Sequence, residues 1–433
     1  MKSIVSVLSP SEFLRRINAP AQSASTSSDV TRIIDEVRAG GDRALMKLTR
    51  KYDGVSIKSV RLKRKAPRIS PALLKDMKLA FRRILDYHLR TADASLFWRD
   101  GKSAAFGRIV KPLRRVGIYV PGGTAPLFST LLMAGAAARA AGVTNIAVAT
   151  PPPVADVILA AAKICGISEI HQVGGAQAIA ALSYGTESIE PVDKIVGPGN
   201  RFVAEAKRQV FGHVGIDSIA GPSEILILAD HTSDPRLIAS DLLAQAEHDP
   251  DARAMLLTTY RDAIPDIAHE LLAQLATLPR HGIARASLLR NGCIVLCENR
   301  NQMVGLANQA APEHLEILTA EPWEIAEEIN AAGAIFVGPD APEVFGDYIA
   351  GPNHVLPTSR TARFAAPLSA RDFVAVSSIQ WFAPKAARKL AAPAARLARA
   401  ESLEAHARAA EARTNARRSA KKKVSDPFFK GRG

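Results

Sequence analysis

Apolar positions change their period along this chain. Residues 29–52 (DVTRIIDEVRAGGDRALMKLTRKY) place them at helical spacing around a break at Gly40–Gly41, and Ser70 followed by Pro71 reads as a helix cap and first turn. The chain through about residue 100 is expected to be mostly helical. From Arg115 onward strand-like and helical runs alternate. RVGIYVPGG is a strand ending in a glycine turn, TLLMAGAAARAAG a small-residue helix, and NIAVATPPP a buried strand closed by prolines. ADVILAAAKICGI (helix), EIHQVGG (strand) and GAQAIAALSYG (helix) follow. Residues 225–230 (ILILAD) form a continuous apolar strand, PRLIASDLLAQAEH a helix, and MLLTT and residues 333–337 further strands. After Arg371 the pattern is helical and rich in Ala and Arg. The helix LARAESLEAHARAAEAR has little apolar surface of its own, so it needs another body to pack on, and a second subunit would serve.

This alternation predicts α/β layers with a mainly parallel sheet. Glycines stand at the strand ends, where open α/β sheets bind ligands, so the run of βα units suits a nucleotide-sized ligand. IYVPGGTAP, QVGGAQA and IVGPGN are turns that let backbone approach something closely. None follows G-x-G-x-x-G, so a nucleotide would be held in an atypical way.

Length and composition narrow the class. With 433 residues, 47% of them apolar and 23% charged, the chain exceeds one domain and is neither disordered, collagen-like nor a disulfide scaffold. The longest apolar region, residues 131–149, is broken by Arg139, Thr144 and Asn145, so no membrane span is expected. Residues 4–8 meet Glu12, Arg15 and Arg16 too soon for a secretory signal, and a cytoplasmic location is expected. Cys165, Cys293 and Cys297 contain no C-x-x-C pair and read as reduced core thiols. Net charge is +14, and residues 391–433 carry half of it, with 11 Lys or Arg against 4 Asp or Glu. The basic run at residues 413–423 reads as a solvated tail. Without interleaved aromatics or a binding module, it does not predict a nucleic-acid partner.

Several polar residues sit where chemistry could use them. Gln245 and His248 in QAEH, three apart at the end of a predicted helix, share a face and could reach one ion. Glu313 and His314 in APEHLEI pair a carboxylate with an imidazole, a combination suited to acid–base work. Asp347 and His354 lie in FGDYIAGPNHVLPT, read as an ordered polar loop. His406 lies on the late helix near Glu401 and Glu404. Taken singly, each has a structural reading as well: a polar helix end, a surface dipeptide, a histidine satisfied by backbone. The residues alone therefore lead to an α/β enzyme that binds a ligand between two domains.

Taken together, the segments resemble the histidinol dehydrogenase family. RVGIYVPGGTAPLFSTLLM, QVGGAQAIAALSYGT, KIVGPGNRFVAEAKRQVFG, IDSIAGPSEILILAD, LLAQAEHDPDA, APEHLEI, GDYIAGPNHVLPT, TARF and LEAHAR occur in the family's order and spacing over roughly residues 30–415. The resemblance implies a fold of two Rossmann-like domains, aldehyde-dehydrogenase-like in architecture, with a helical, swapped C-terminal tail. The implied division is an arm at 1–29, a discontinuous catalytic and zinc domain at 30–118 and 226–370, an NAD domain at 119–225, and a dimerisation tail at 371–433. One zinc ion per subunit would be held by Gln245, His248, Asp347 and His406, the last contributed by the partner of a homodimer. Glu313 and His314 match the family's acid–base pair. Tyr119, Gln177 and Asn200 match its NAD contacts. Ser223 and Glu401 match substrate contacts, joined by His314 and the four zinc ligands, with His354 near the pocket. The activity implied is NAD-dependent oxidation of L-histidinol through L-histidinal to L-histidine, the last steps of histidine biosynthesis.

Two features depart from the pattern. Ser359 and Arg360 stand before TARF where the family commonly has two glycines, and the basic end SAKKKVSDPFFKGRG has no counterpart. Arg360 would suit the anionic substrate of relatives that oxidise other small polar alcohols, such as sulfonated diols. Glu401 fits a cationic amino group instead and would repel a sulfonate, which favours histidinol.

Overall fold

The computed structural model describes residues 4–19, 26–63, 65–122, 126–219 and 221–414. Residues 123–125 of the first glycine turn and the basic end beyond residue 414 lie outside them. Two units are distinguished: residues up to Asp93 with Pro112–Val374, and Ala94–Lys111 with the chain from Ala375 onward.

The first unit contains two parallel sheets. One runs in the spatial order Glu169–Gln172, Ile146–Thr150, Val116–Tyr119, Lys194–Val196, Gly215–Ile216. The other runs Ser6–Leu8, Cys293–Leu296, Arg253–Thr258, Glu224–Ala229, His314–Leu318, Ala334–Val337. The five-stranded sheet begins at its central strand, winds outward to one side and then crosses to the other; the six-stranded sheet does the same from Glu224–Ala229 onward, with the N-terminal strand Ser6–Leu8 added at one edge, so both have the doubly wound order of the expected Rossmann-like pair. The apolar runs IAVAT and EILILA are buried along their whole length, as strands covered on both faces by helices must be. Each fully buried Leu or Ile in them contributes about 1.5–3 kcal/mol relative to exposure.

The N-terminal helices follow the expected pattern, but their placement differs from the implied division. Ser27–Asp53 bends at Gly41, the predicted break, and Pro71–Thr91 starts from Ser70, whose hydroxyl accepts the Leu73 N–H at 3.2 Å. Val30, Ile34 and Leu45 pack with Tyr119, Ile179 and Val203, while Met77, Phe81 and Ile84 pack with Val116 and Ile118. These helices therefore cover the five-stranded sheet rather than joining the catalytic one. Their apolar stripes are wide enough to be buried there, and a stripe goes where it is covered.

The second unit corrects two expectations. Residues 374–382 are a strand, Val374–Phe382, not the start of a helix, and residues 96–100 are a strand as well. With Ala104–Pro112 between them they form a three-stranded sheet. Both runs (VAVSSIQWF and LFWRD) are rich in β-branched and aromatic residues, which fit a pleated surface better than a helix. The helices Pro384–Ala400 and Glu404–Glu411 then follow, joined by Arg399, which donates to Glu404 at 2.9 Å and Glu411 at 2.7 Å. They bury little: Ala391 and Ala395 on the first and Ala407 on the second.

Candidate active site

The chemistry-bearing residues of the first unit gather at the amino edge of the six-stranded sheet, on either side of the point where its strand order reverses. Ser223 and Glu224 open one central strand, and Glu313 and His314 open its neighbour; His314 pairs with Ile225 across the ladder. Ala311, left-handed at φ 44°, ends the preceding helix and turns the chain into the strand. Gly333 lies against Glu313 so closely that a Cβ there would collide with the Glu313 carbonyl oxygen. Helix Pro235–Ala246 starts under an Asp234 cap, which accepts the Arg236 N–H at 2.8 Å, and runs back to this edge. Gln245 lies in its last turn. His248 stands just past the helix end, its N–H held by the Gln245 carbonyl at 3.3 Å, so it is set by a turn rather than by the helix face expected. Asp347 sits on the short helix Glu343–Tyr348, not in a loop as expected.

Distances show how these groups are poised. His314 is 4% exposed, and its Nδ1 lies 3.1 Å from the Glu224 carbonyl oxygen, which can only accept. The ring proton therefore sits on Nδ1, and Nε2 keeps its lone pair. Nε2 is buried without a hydrogen-bond partner among the described residues, 3.9 Å from Asp347 Oδ1. Burial lowers the His314 pKa to about 4, so the ring is neutral at pH 7. Glu313 accepts the Glu224 N–H at 2.9 Å. Its carboxyl is raised well above the ordinary range, chiefly by burial and further by the charges of Glu224 and Asp347. Glu343, 3.6 Å from His314 Nδ1, is raised by burial and by the Asp347 charge. His354 donates from Nδ1 to the Asp347 carbonyl at 2.8 Å, and burial lowers its pKa.

The arrangement has the donor set of a divalent metal centre. His248 Nε2 and Asp347 Oδ2 are 3.9 Å apart, too far for a hydrogen bond and near enough to share an ion. One ligand atom from each of His248, Glu343 and Asp347 lies within 4.8 Å of the others. Gln245 is fully buried, and among the described residues neither its amide nitrogen nor its oxygen has a partner. Buried polar atoms left this way cost about 1–3 kcal/mol each, so the amide fits a role as ligand better than a role in packing. Nitrogen and oxygen donors without thiolate suit an open catalytic zinc site. Glu343 carries no motif of its own, but it lies four residues before Asp347, a spacing that puts both on one helix face. His406 and Glu401 belong to the second unit, both exposed.

A second group stands at the carboxyl edge of the five-stranded sheet, flanking its own reversal point, where such sheets take nucleotides. Tyr119 ends the central strand, and its hydroxyl accepts the Gly175 N–H at 3.1 Å. Burial pushes its phenol up to about 12. Gln177 is buried in the first turn of helix Gly175–Tyr184. Asn200 follows strand Lys194–Val196 and caps the next helix by accepting the N–H groups of Phe202 at 3.0 Å and Val203 at 3.2 Å. Asp53, which no motif pointed to, ends helix Ser27–Asp53 with Oδ2 buried and without a partner among the described residues, and its charge bears on Tyr119.

A family model described as histidinol dehydrogenase matches residues 17–414. The chain belongs to that family. A histidinol dehydrogenase of Bacillus thuringiensis subsp. konkukian is 46% identical over 408 residues, covering 92% of this chain and 95% of its own. One from Rhizobium meliloti is 46% identical over 399 residues, covering 89% and 91%. The crystal structure of histidinol dehydrogenase from Elizabethkingia anophelis superposes with a TM-score of 0.91 at 33% identity, covering 95% of this chain and 98% of that one. An acetylating aldehyde dehydrogenase from Geobacillus thermoglucosidasius, at 12% identity and TM-score 0.50, shares the fold alone.

Against the family pattern, the Ser359–Arg360 departure becomes intelligible. Both residues are left-handed, at φ 52° and 66°, a conformation glycine adopts without strain. The Ser359 N–H reaches Glu224 Oε1 at 3.0 Å. The Arg360 guanidinium is bound to the Gln309 carbonyl at 3.1 Å and to Asn18. Arg360 is thus committed to tying the loop to its scaffold, and the suggestion that it selects an anionic substrate loses its basis. Among the described residues, no helix is long and apolar enough to cross a membrane.

Proposed function

We propose that the chain oxidises L-histidinol to L-histidine through L-histidinal, using two NAD⁺ in turn, in the last steps of histidine biosynthesis. The observation that carries this reading is a buried Gln245 amide, without a partner among the described residues, at the helix end that leads into His248, whose Nε2 lies 3.9 Å from Asp347, with the unpartnered Nε2 of a neutral His314 also 3.9 Å from Asp347. In this reading Gln245, His248 and Asp347 hold zinc, and His406 of a second copy completes the set. Bound zinc supplies a Lewis-acidic anchor for the amino alcohol, and NAD⁺ supplies the hydride acceptor. Tyr119, Gln177 and Asn200 hold the dinucleotide, with the glycine turns allowing its close approach. Ser223 and Glu401 contact the substrate.

The proton work falls to two residues. His314 Nε2 accepts the hydroxyl proton, and the Glu224 carbonyl, fixed on Nδ1–H, holds the ring in the tautomer that makes this feasible. Glu313 then accepts a proton from water as the water attacks the aldehyde. Its raised pKa makes it a stronger base once ionised, which suits that step. After His314 and Glu313 have each released their proton to solvent and a second NAD⁺ has replaced NADH, His314 accepts a hydroxyl proton from the hydrate as the second hydride leaves. Exposed apolar side chains in the second unit, including Trp381, Leu390 and Leu397, support a homodimer in which that unit finds cover.

The deciding assay follows NADH formation from L-histidinol with saturating NAD⁺ and zinc. Two NADH per histidinol, with histidine as product, are expected. No turnover of histidinol, or faster turnover of a sulfonated propanediol, would overturn the reading.

A further inference from the structure

Lys207 and Asp217 are buried charges that neither site uses. They form an ion pair with side chains only 2% and 4% exposed. Asp217 Oδ2 accepts the N–H of Gly197 at 2.7 Å, and Lys207 Nζ donates to the carbonyl of the same glycine at 3.0 Å. Both polar groups of one backbone residue are therefore gripped by opposite ends of one ion pair. Gly197 has φ 115°, and a Cβ there would overlap the Tyr119 carbonyl oxygen. The turn it begins ends at Asn200, the cap of helix Arg201–Val210, and Lys207 belongs to that same helix.

A buried ion pair is an expensive way to fill a core. Desolvating two ions costs several kcal/mol each, and an apolar pair of similar volume commonly serves stability as well or better. Apolar side chains, however, cannot hold an N–H and a carbonyl in a strained turn. We propose that Lys207 and Asp217 are positioning residues: they preset the 197–200 turn against Tyr119, so that the dinucleotide meets a surface already formed. A preset turn raises affinity by removing the ordering cost of binding. This rests on the reading that the crevice takes NAD, which the wild-type arm of the test checks separately.

Hydrogen exchange on the zinc-loaded full-length protein gives the first arm. Amides of residues 196–203 should be protected before cofactor is added, and saturating NADH should slow them less than about threefold. Open-loop exchange in the free protein, slowed tenfold or more by NADH, would overturn the clamp. The second arm is the double variant Lys207→Met/Asp217→Leu, chosen because it leaves no unpaired buried charge. Its NADH Kd, read by fluorescence, should rise about tenfold and its KM for NAD⁺ with it, with zinc content and kcat near wild type. A folded double variant with wild-type NADH affinity overturns the proposal; if it fails to fold, the exchange arm decides. Wild-type protein that binds no NADH overturns the clamp together with the dinucleotide reading, whereas intact wild-type binding with an unaffected variant overturns the clamp alone.

Discussion

His314 illustrates how much one residue's surroundings decide. In water an imidazole titrates near 6.5, but here burial holds it neutral, and a single carbonyl selects the tautomer. His314→Asn should lower kcat by roughly 10²–10⁴-fold, the range for loss of a general base. Zinc content, measured by elemental analysis, should stay at the wild-type level, because the proposed ligands Gln245, His248 and Asp347 are untouched. Loss of metal together with rate would mean that His314 is a ligand rather than a base. The adjacent Glu-His dipeptide was visible in the sequence; the tautomer was not, since it depends on Glu224, ninety residues away.

Asp241 gives a pH prediction at the same scale. Burial raises its carboxyl to about 6 from 3.8, with Glu316 beside it also raised well above normal. The folded state thus holds a proton that the unfolded chain releases earlier. Its stabilising share is complete below about pH 3.8 and is lost as pH rises through about 6. Asp241→Asn should leave Tm little changed near pH 4 and raise stability at pH 8 by roughly 1 kcal/mol, below the ~1.4 kcal/mol per pH unit that one fully released proton carries. Thermal melts across pH 4–8 check it, and a variant less stable at pH 8 than wild type would contradict it.

At the scale of elements, periodicity and turn chemistry were legible wherever a local rule applied. The Gly41 bend, the Ser70–Pro71 start and the apolar strand ending at Ala229 all follow from residues within one turn of each other. The pattern misled where composition pulled against it: Ala and Arg dominate after residue 371, yet VAVSSIQWF pairs as a strand because a neighbouring strand, some 270 residues earlier in the chain, offers it a ladder. Gly197 belongs to this scale as well. Gly197→Ala should cost roughly 1–3 kcal/mol through its strained φ and its overlap with Tyr119, and should weaken NADH binding more than histidinol binding. Calorimetry and NADH titration would show this, and an Ala variant with unaltered NADH affinity would count against a role for the turn.

For the molecule as a whole, the prediction concerns shared sites. Asp347→Ala and His406→Ala chains, each inactive alone, should regain activity when mixed, because in the proposed homodimer a mixed pair would contain one site with both proposed ligands intact. No recovery after confirmed subunit exchange would place His406 in its own chain's site or in none. Truncation after Thr414 should leave turnover and zinc content within about twofold of wild type, since no candidate site residue lies beyond it. A large loss of rate in the truncated chain would assign that basic end a part in catalysis.

What the amino-acid order determined by itself was local: which runs are strands or helices, where glycine turns admit close approach, and which side chains are chemically able to ligate or shuttle protons. Convergence was left to the tertiary structure. Glu224 and Glu313, or Gly197 and Tyr119, become neighbours only when a parallel sheet closes connections of some 80 residues. The pKa of a buried group, the partnerless state of Gln245 and the twin grip on Gly197 are properties of those closures. They depend on which groups exclude water together, and separation along the chain does not encode that.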